Sequence, residues 1–202
     1  MEQILTLDTE ITLYINNHYS EFWDAVMEFF SEKYVWLPLY ALFIYGTYKV
    51  YLQRTVFGAG KTRKNRRFWF RVIITVAACC IATGLADYIS VHCFKDVFER
   101  LRPCREPLLE GLLRPHGCGG MYGFVSSHAA NVFTLAAFLT PLFQRYRIVR
   151  FGGIYLWAAA VGYSRIYLGW HYFGDVVCGA LLGILLGTAI FHLQRLVIQR
   201  LR

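Results

Sequence analysis

The sequence predicts an all-α integral membrane protein: a helical bundle of about five transmembrane helices, preceded by one or two interfacial amphipathic helices. Three observations predict it. Of 202 residues, 56% are hydrophobic and only 17% charged, whereas a soluble domain carries about 25% charge. Long apolar runs recur along the chain. Lys and Arg gather in the segments between alternate runs, the pattern of cytoplasmic loops. The length suits a single domain, 1–202, made of an N-terminal interfacial segment, 1–33, and a transmembrane core, 34–202.

The N-terminal segment sets seven acids against one cation, Lys33, with apolar residues such as Ile4, Ile11, Phe22, Trp23 and Phe30 between them. No clean apolar window of about 18 residues occurs there, so it predicts interfacial helices broken near Asn16-Asn17-His18 and not a span. Met1 to Glu10 lacks the basic start and apolar core of a signal peptide. The first span is expected from Tyr34 to about Gln53, anchored by Tyr34, Trp36 and Tyr48. A basic linker, Arg54 to Arg67, leads to a second span from Phe68 to about His92, which carries the intramembrane acid Asp87 as partner for a neighbouring polar group. Glycines and prolines then exclude a continuous helix between Cys93 and Gly123. Further spans are expected at Ser127 to Phe143, Phe151 to Tyr167 and Gly174 to Leu193; the last places Gly179, Gly183 and Gly187 on one face for close packing.

The loops at 54–67 and 144–150 and the C-terminal segment hold twelve of the 21 Lys and Arg residues. A five-span arrangement puts all three on one side, which the positive-inside rule makes cytoplasmic. The acidic segment, the Gly-rich loop and the turn at His171 then share the other side. The formal charge of +8 is thereby explained by the membrane, and no nucleic acid partner is expected. Cys104 and Cys118 flank the Gly-rich loop; an extracytoplasmic position permits a disulfide there, and spacing leaves the pairing open. A metal site from Cys104, His116 and Cys118 lacks any familiar zinc spacing.

Three short stretches carry chemistry. Lys95 and Arg102 are seven residues apart, two turns of one helix, which Pro103 would end. Alone, such a pair reads equally as a headgroup anchor. Ser126-Ser127-His128 opens a span; a serine caps the helix, and its free N–H groups and dipole suit a phosphate. Gly123 allows the preceding loop to come close. Ser164-Arg165 closes the next span, and His171 with Asp175 follows at a spacing of four, where the carboxylate can fix one imidazole nitrogen and leave the other for attack. Three cations, a nucleophile and an acid are what phosphoryl transfer needs. No carboxylate cluster for Mg²⁺ is visible, so a metal-free mechanism without cofactors is expected.

The order of these motifs resembles the type 2 phosphatidic acid phosphatase superfamily. The first reads K-D-V-F-E-R-L-R-P from Lys95 to Pro103, and the third S-R-I-Y-L-G-W-H-Y-F-G-D from Ser164 to Asp175. The second reads V-S-S-H, with Val125 and Ser127 where the family has Pro and Gly; Ser127 keeps the backbone amide and adds a side chain. The resemblance covers about residues 34–195. It implies Lys95, Arg102 and Arg165 as phosphate ligands with Ser126 and Ser127 assisting, His171 as the residue that becomes phosphohistidine, Asp175 as its orienter, and His128 as acid and then base.

The sequence therefore reads as a membrane-embedded phosphatase of a lipid phosphate monoester or diphosphate. Its expected partners are the bilayer and a phospholipid, isoprenoid or lipid A phosphate: undecaprenyl pyrophosphate, phosphatidylglycerophosphate, phosphatidate and lipid A phosphate are the candidates. Small size and short loops suggest a bacterial inner (cytoplasmic) membrane protein with its site facing the periplasm. A lipid phosphotransferase would use the same residues. A non-catalytic lipid-binding protein would not need the whole set, and a transporter would place its polar groups near the midplane and not at the span ends.

Overall fold

The computed structural model describes residues 2–59, 66–150 and 152–200, and the side chains of 6–53, 67–150 and 152–200. The chain opens with α1 (Glu2–Asn17) and α2 (Glu21–Ser31), so the predicted break falls at 18–20. Ser20 starts α2: its hydroxyl accepts from Trp23 N, and Glu21 and Asp24 sit in the first turn, where the helix dipole favours acids. Both helices are inverted relative to those of a soluble protein. They bury Thr12, Asn16, Asp24 and Ser31 and expose Leu7, Tyr14, Phe22, Trp23 and Phe29. An apolar outer face is what an interfacial helix presents to lipid.

A 3₁₀ turn at Lys33–Trp36 leads into α3 (Leu37–Ala59). The predicted basic linker, 54–67, is helical at both ends, 54–59 continuing α3 and 66–67 opening the next helix, while 60–65 lie outside the described residues. Next come α4 (Arg66–Ile89), a π-helical stretch at Ser90–Lys95 and the short α5 (Asp96–Phe98). A loop then runs to α6 (Ser127–Phe143), followed by the short α7 (Arg147–Arg150), α8 (Gly153–Tyr167) and α9 (Phe173–Arg200). All described elements are helical, as expected. Among the described residues two helices, Arg67–Phe98 and Phe173–Arg200, are long and apolar enough to cross a membrane, and Ser127–Phe143 is a shorter apolar helix.

The centre of the bundle is α6 against α9. Gly179, Gly183 and Gly187 set that contact: a methyl group on Gly183 would lie 2.3 Å from the Ala130 carbonyl oxygen, and one on Gly187 2.4 Å from that of Thr134. Only hydrogen fits there, so the small-residue face predicted from spacing is the face that meets α6. Around this seam Phe68, Val72, Phe138, Leu142, Phe143 and Val161 form the apolar core. A buried polar link crosses it, in which Gln194 Nε2 donates to Thr75 Oγ1 (2.7 Å) and Thr75 and Tyr51 share a 3.0 Å hydrogen bond. In hydrocarbon such groups must satisfy one another.

One expectation is corrected. Lys95 and Arg102 do not share a helix face, and Pro103 does not end their helix. The helix stops at Phe98, because Glu99 turns left-handed (φ 47°). Arg102 lies in an extended segment pinned by the Leu101–Tyr122 bridge and by Arg102 N donating to Met121 O (3.1 Å). Cys104 and Cys118 are disulfide-bonded and close this loop. The disulfide uses both cysteines that a metal site with His116 would need, and His116 lies instead 3.1 Å from Glu28.

A candidate phosphoryl-transfer site

His171 sits in the turn between α8 and α9. Gly169 makes that turn possible with φ +73°, a value that favours glycine. The backbone N–H groups of Trp170 and His171 both donate to Arg165 O, so the turn folds back over the end of α8. His171 is 1% exposed and Asp175 fully buried. His171 Nδ1 lies 3.4 Å from Asp175 Oδ2. The two groups predicted to pair are thus neighbours, but the expected hydrogen bond is not formed: Nδ1 has no hydrogen-bond partner among the described residues. Burial, and then the charges of Arg102, Arg165 and Lys95, hold the His171 imidazole well below the ordinary histidine range. That direction favours the neutral ring, in which one nitrogen carries a lone pair.

The three cations whose charge reaches His171 come from three places. Lys95 leaves the π-helical stretch and donates to Ser127 Oγ at 2.7 Å. Arg102 is steered from the loop by the carbonyls of Tyr122 (3.2 Å from Nε) and Trp170 (3.4 Å from Nη1). Arg165 is 4% exposed; its guanidinium lies 4.0 Å over the Trp170 ring and donates to Ser31 Oγ, while its Nε finds no hydrogen-bond partner among the described residues. Three like charges gathered in a buried space repel one another. An anion with several oxygens would relieve that repulsion, and the arrangement is suited to receive one.

Ser126 is the cap of α6, its hydroxyl accepting from Ala129 N at 3.5 Å. Its own N–H donates to Asp175 O at 2.9 Å, which joins the second motif to the third. The Ser127 side chain, which replaces a hydrogen in the family pattern, meets Lys95 and shares a 2.7 Å hydrogen bond with Ser90. His128 follows on the first turn of α6. Gly123 brings the loop close, since a methyl group there would lie 2.9 Å from Asp175 Oδ2. All eight residues singled out from the sequence are therefore on elements that converge at one end of the bundle.

Sequence reasoning missed several groups around them. Arg100, inside the first motif, donates to Asp175 Oδ1 (2.9 Å) and to Asp8 Oδ2 (2.7 Å). Ser31 meets Arg165, and Ser90 meets Ser127. Arg100 carried a signal, being a third cation in a nine-residue motif. Asp8 and Ser31 carried none, because their partners are a whole chain away. Asp87 does take a polar neighbour, Asn131 at 3.3 Å, as expected. Among the described residues no three His, Cys, Asp or Glu side chains gather in a way that could hold a metal ion.

Comparison with known proteins gives this geometry a family. Residues 75–198 match the model of the PAP2 superfamily. The lipid A 4'-phosphatase of Bacteroides thetaiotaomicron is 32% identical over 205 residues, covering all of this chain and 83% of that protein. That of Porphyromonas gingivalis is 28% identical over 196 residues, covering 95% of this chain and 74% of that one. Among solved structures, Aquifex aeolicus LpxE superposes with a TM-score of 0.58 at 26% identity, over 92% of this chain and 95% of that chain. The matched segment contains all three motifs and runs through the helices that carry them: the chain belongs to the PAP2 superfamily.

Proposed function

We propose that this membrane lipid phosphatase removes a phosphate monoester from lipid A, or from a closely related phosphorylated glycolipid, through a phosphohistidine on His171. The observation that carries the chemistry is a buried His171 that lies 3.4 Å from Asp175 and feels the charges of Arg102, Arg165 and Lys95. Its Nε2 attacks phosphorus, the bond from phosphorus to the lipid oxygen breaks, and His128 gives that oxygen a proton. Water then attacks the phosphohistidine, His128 takes a proton from it, the P–N bond breaks, and inorganic phosphate leaves. Lys95, Arg102 and Arg165 hold the equatorial oxygens throughout, with the N–H groups at the start of α6.

The substrate reading is supported by the two relatives matched along nearly the whole chain. An apolar cavity of about 350 Å³ also lies between α3, α4 and α6, lined by Phe43, Ile44, Leu135 and Phe138 and reaching Asn131, one turn from His128. It is suited to an acyl chain whose headgroup lies at the cations. We further infer five crossings, formed by α3, α4, α6, α8 and α9, with the site on the periplasmic side of an inner membrane. The described cations at the other end, Arg67, Arg71, Arg145, Arg147, Arg150, Arg195 and Arg200, support that orientation.

The test is phosphate release by the purified protein in detergent from hexa-acylated lipid A, undecaprenyl pyrophosphate, phosphatidylglycerophosphate and phosphatidate, with chelator present. The expected result is the highest kcat/KM on lipid A, together with an acid-labile phosphate on histidine in rapidly quenched enzyme. Equal or greater turnover of a diphosphate would overturn the substrate, and full activity of His171→Gln would overturn the mechanism.

A further inference from the structure

The helix α1 reaches the proposed nucleophile's orienter through Arg100. Asp175 is a fully buried carboxylate with two different oxygens. Oδ2 accepts from Tyr172 N at 3.0 Å and faces His171 Nδ1; Oδ1 accepts from Arg100 Nη1 at 2.9 Å. A carboxylate rotates readily about its Cβ–Cγ bond. Its plane is set by both anchors, Tyr172 N on Oδ2 and a partner on Oδ1, and among the described side chains the charged group on Oδ1 is Arg100.

Arg100 is itself held from two sides. Its Nη2 donates to Asp8 Oδ2 at 2.7 Å, and its guanidinium lies 3.9 Å over the Tyr172 ring. Asp8 in turn is fixed to the backbone that carries Asp175: its Oδ1 accepts from Gly174 N at 2.7 Å. One turn later in α1, Thr12 Oγ1 accepts from Phe173 N at 3.1 Å. Two side chains of α1 thus occupy free N–H groups at the start of α9, the place a helix usually fills with its own cap. The unit is closed, running from Asp8 through Arg100 to Asp175 and back to Asp8 through the α9 backbone.

We propose that Arg100 is a positioning residue for the reaction, held by Asp8, and that α1 is thereby part of the machinery that orients His171. The proposal rests on the reading of His171 as nucleophile. A simple staple between α1 and the bundle would need the same contacts, but its loss would lower the amount of folded protein and leave turnover per folded molecule unchanged. Loss of a positioning group lowers kcat itself, because a small misplacement of a reacting atom is felt in the rate.

The experiment measures phosphate release from hexa-acylated lipid A by the full-length protein in detergent, normalised to folded monomer from gel filtration and thermal unfolding. Arg100→Ala is expected to lower kcat by about 100-fold and to leave KM within about twofold, as an orienting effect confined to the transition state requires. Guanidinium ion added to Arg100→Ala restores part of kcat. Asp8→Asn, which keeps the size of the side chain and both backbone contacts of α1 within reach, lowers kcat by about tenfold, and the double variant is no worse than Arg100→Ala alone, because residues acting as one unit are not additive. If Arg100→Ala does not fold, Asp8→Asn decides alone. Wild-type kcat per folded molecule in Asp8→Asn, or a loss in Arg100→Ala confined to KM, overturns the proposal. Failure of the underlying reading looks different: His171→Gln would then stay active, whereas an inactive His171→Gln beside fully active Arg100 and Asp8 variants would sink this inference alone.

Discussion

The N-terminal helices and the α6–α9 pair solve opposite packing problems. Between α6 and α9 the contact is made of the smallest possible groups: glycine hydrogens against carbonyl oxygens. Between α1–α2 and the bundle it is made of polar side chains whose partners are fixed hydrogen bonds. Asn16 receives Arg114 N (2.8 Å) and donates to Tyr167 O (2.7 Å), and Tyr167 donates to Asp24 (2.7 Å). The first contact tolerates no added atom, and the second tolerates no missing one. The same molecule uses close apolar contact where it is surrounded by itself, and hydrogen-bond specificity where a surface helix must be told which face to bury with lipid on its other side.

Five measurements would break or sharpen that contrast. The largest effect belongs to the centre that both regions serve: His171→Gln is expected to lower kcat by about 10⁴-fold, read as phosphate release, with little change in thermal unfolding. Reducing the Cys104–Cys118 disulfide frees the loop that delivers Arg102; closure of a loop of that size is worth about 3 kcal/mol, so Tm should fall with reductant while the thiol count rises by two. Gly183→Ala should cost about 2 kcal/mol through overpacking, seen as a lower Tm with normal activity in the fraction that folds. Ser31→Ala should lower kcat/KM by about tenfold, the worth of one hydrogen bond to a charged group, with Tm almost unchanged. If Gly183→Ala instead acted on activity and Ser31→Ala on stability, the division between the two regions would be wrong.

The smallest effect concerns Asp24. Burial pushes its carboxyl up, but hydrogen bonds from Arg114 and Tyr167 outweigh that and hold it below the ordinary aspartate value. A carboxyl lowered in the folded state contributes stability that is present above the unfolded value of about 3.9 and is lost as pH falls through the lower folded one. Between pH 5 and pH 3 the Tm of the wild type should therefore fall more steeply than that of Asp24→Asn. Parallel curves would mean that Asp24 is not held in this way.

How much of this was legible in the sequence follows the same contrast. Apolar run length marked the bundle helices to within a few residues at most ends, and the glycine spacing in α9 marked its packing face, because both are local periodic signals. The motif residues were legible since their types and spacing state a chemistry. The inverted faces of α1 and α2 were not. A segment with acids and aromatics interleaved does not say which set is buried until the partner is known, and the partners of Asp8, Asn16 and Ser31 lie far along the chain. The single-helix reading of Lys95 and Arg102 failed for a related reason. Their spacing fits a helix, but the left-handed turn at Glu99 depends on the loop pairing with Tyr122, which no local pattern announces.

The inverted faces of α1 and α2 also say something about order of manufacture. Ser31 reaches Arg165 across 134 positions, Asp24 reaches Tyr167 across 143, and Asn16 reaches Tyr167 across 151. The ribosome releases both helices long before any of those partners exists. Until α8 is in place, the buried polar groups of α1 and α2 lack these hydrogen-bond partners. The polar faces of α1 and α2 therefore become complete only through residues that lie more than 130 positions further along the chain.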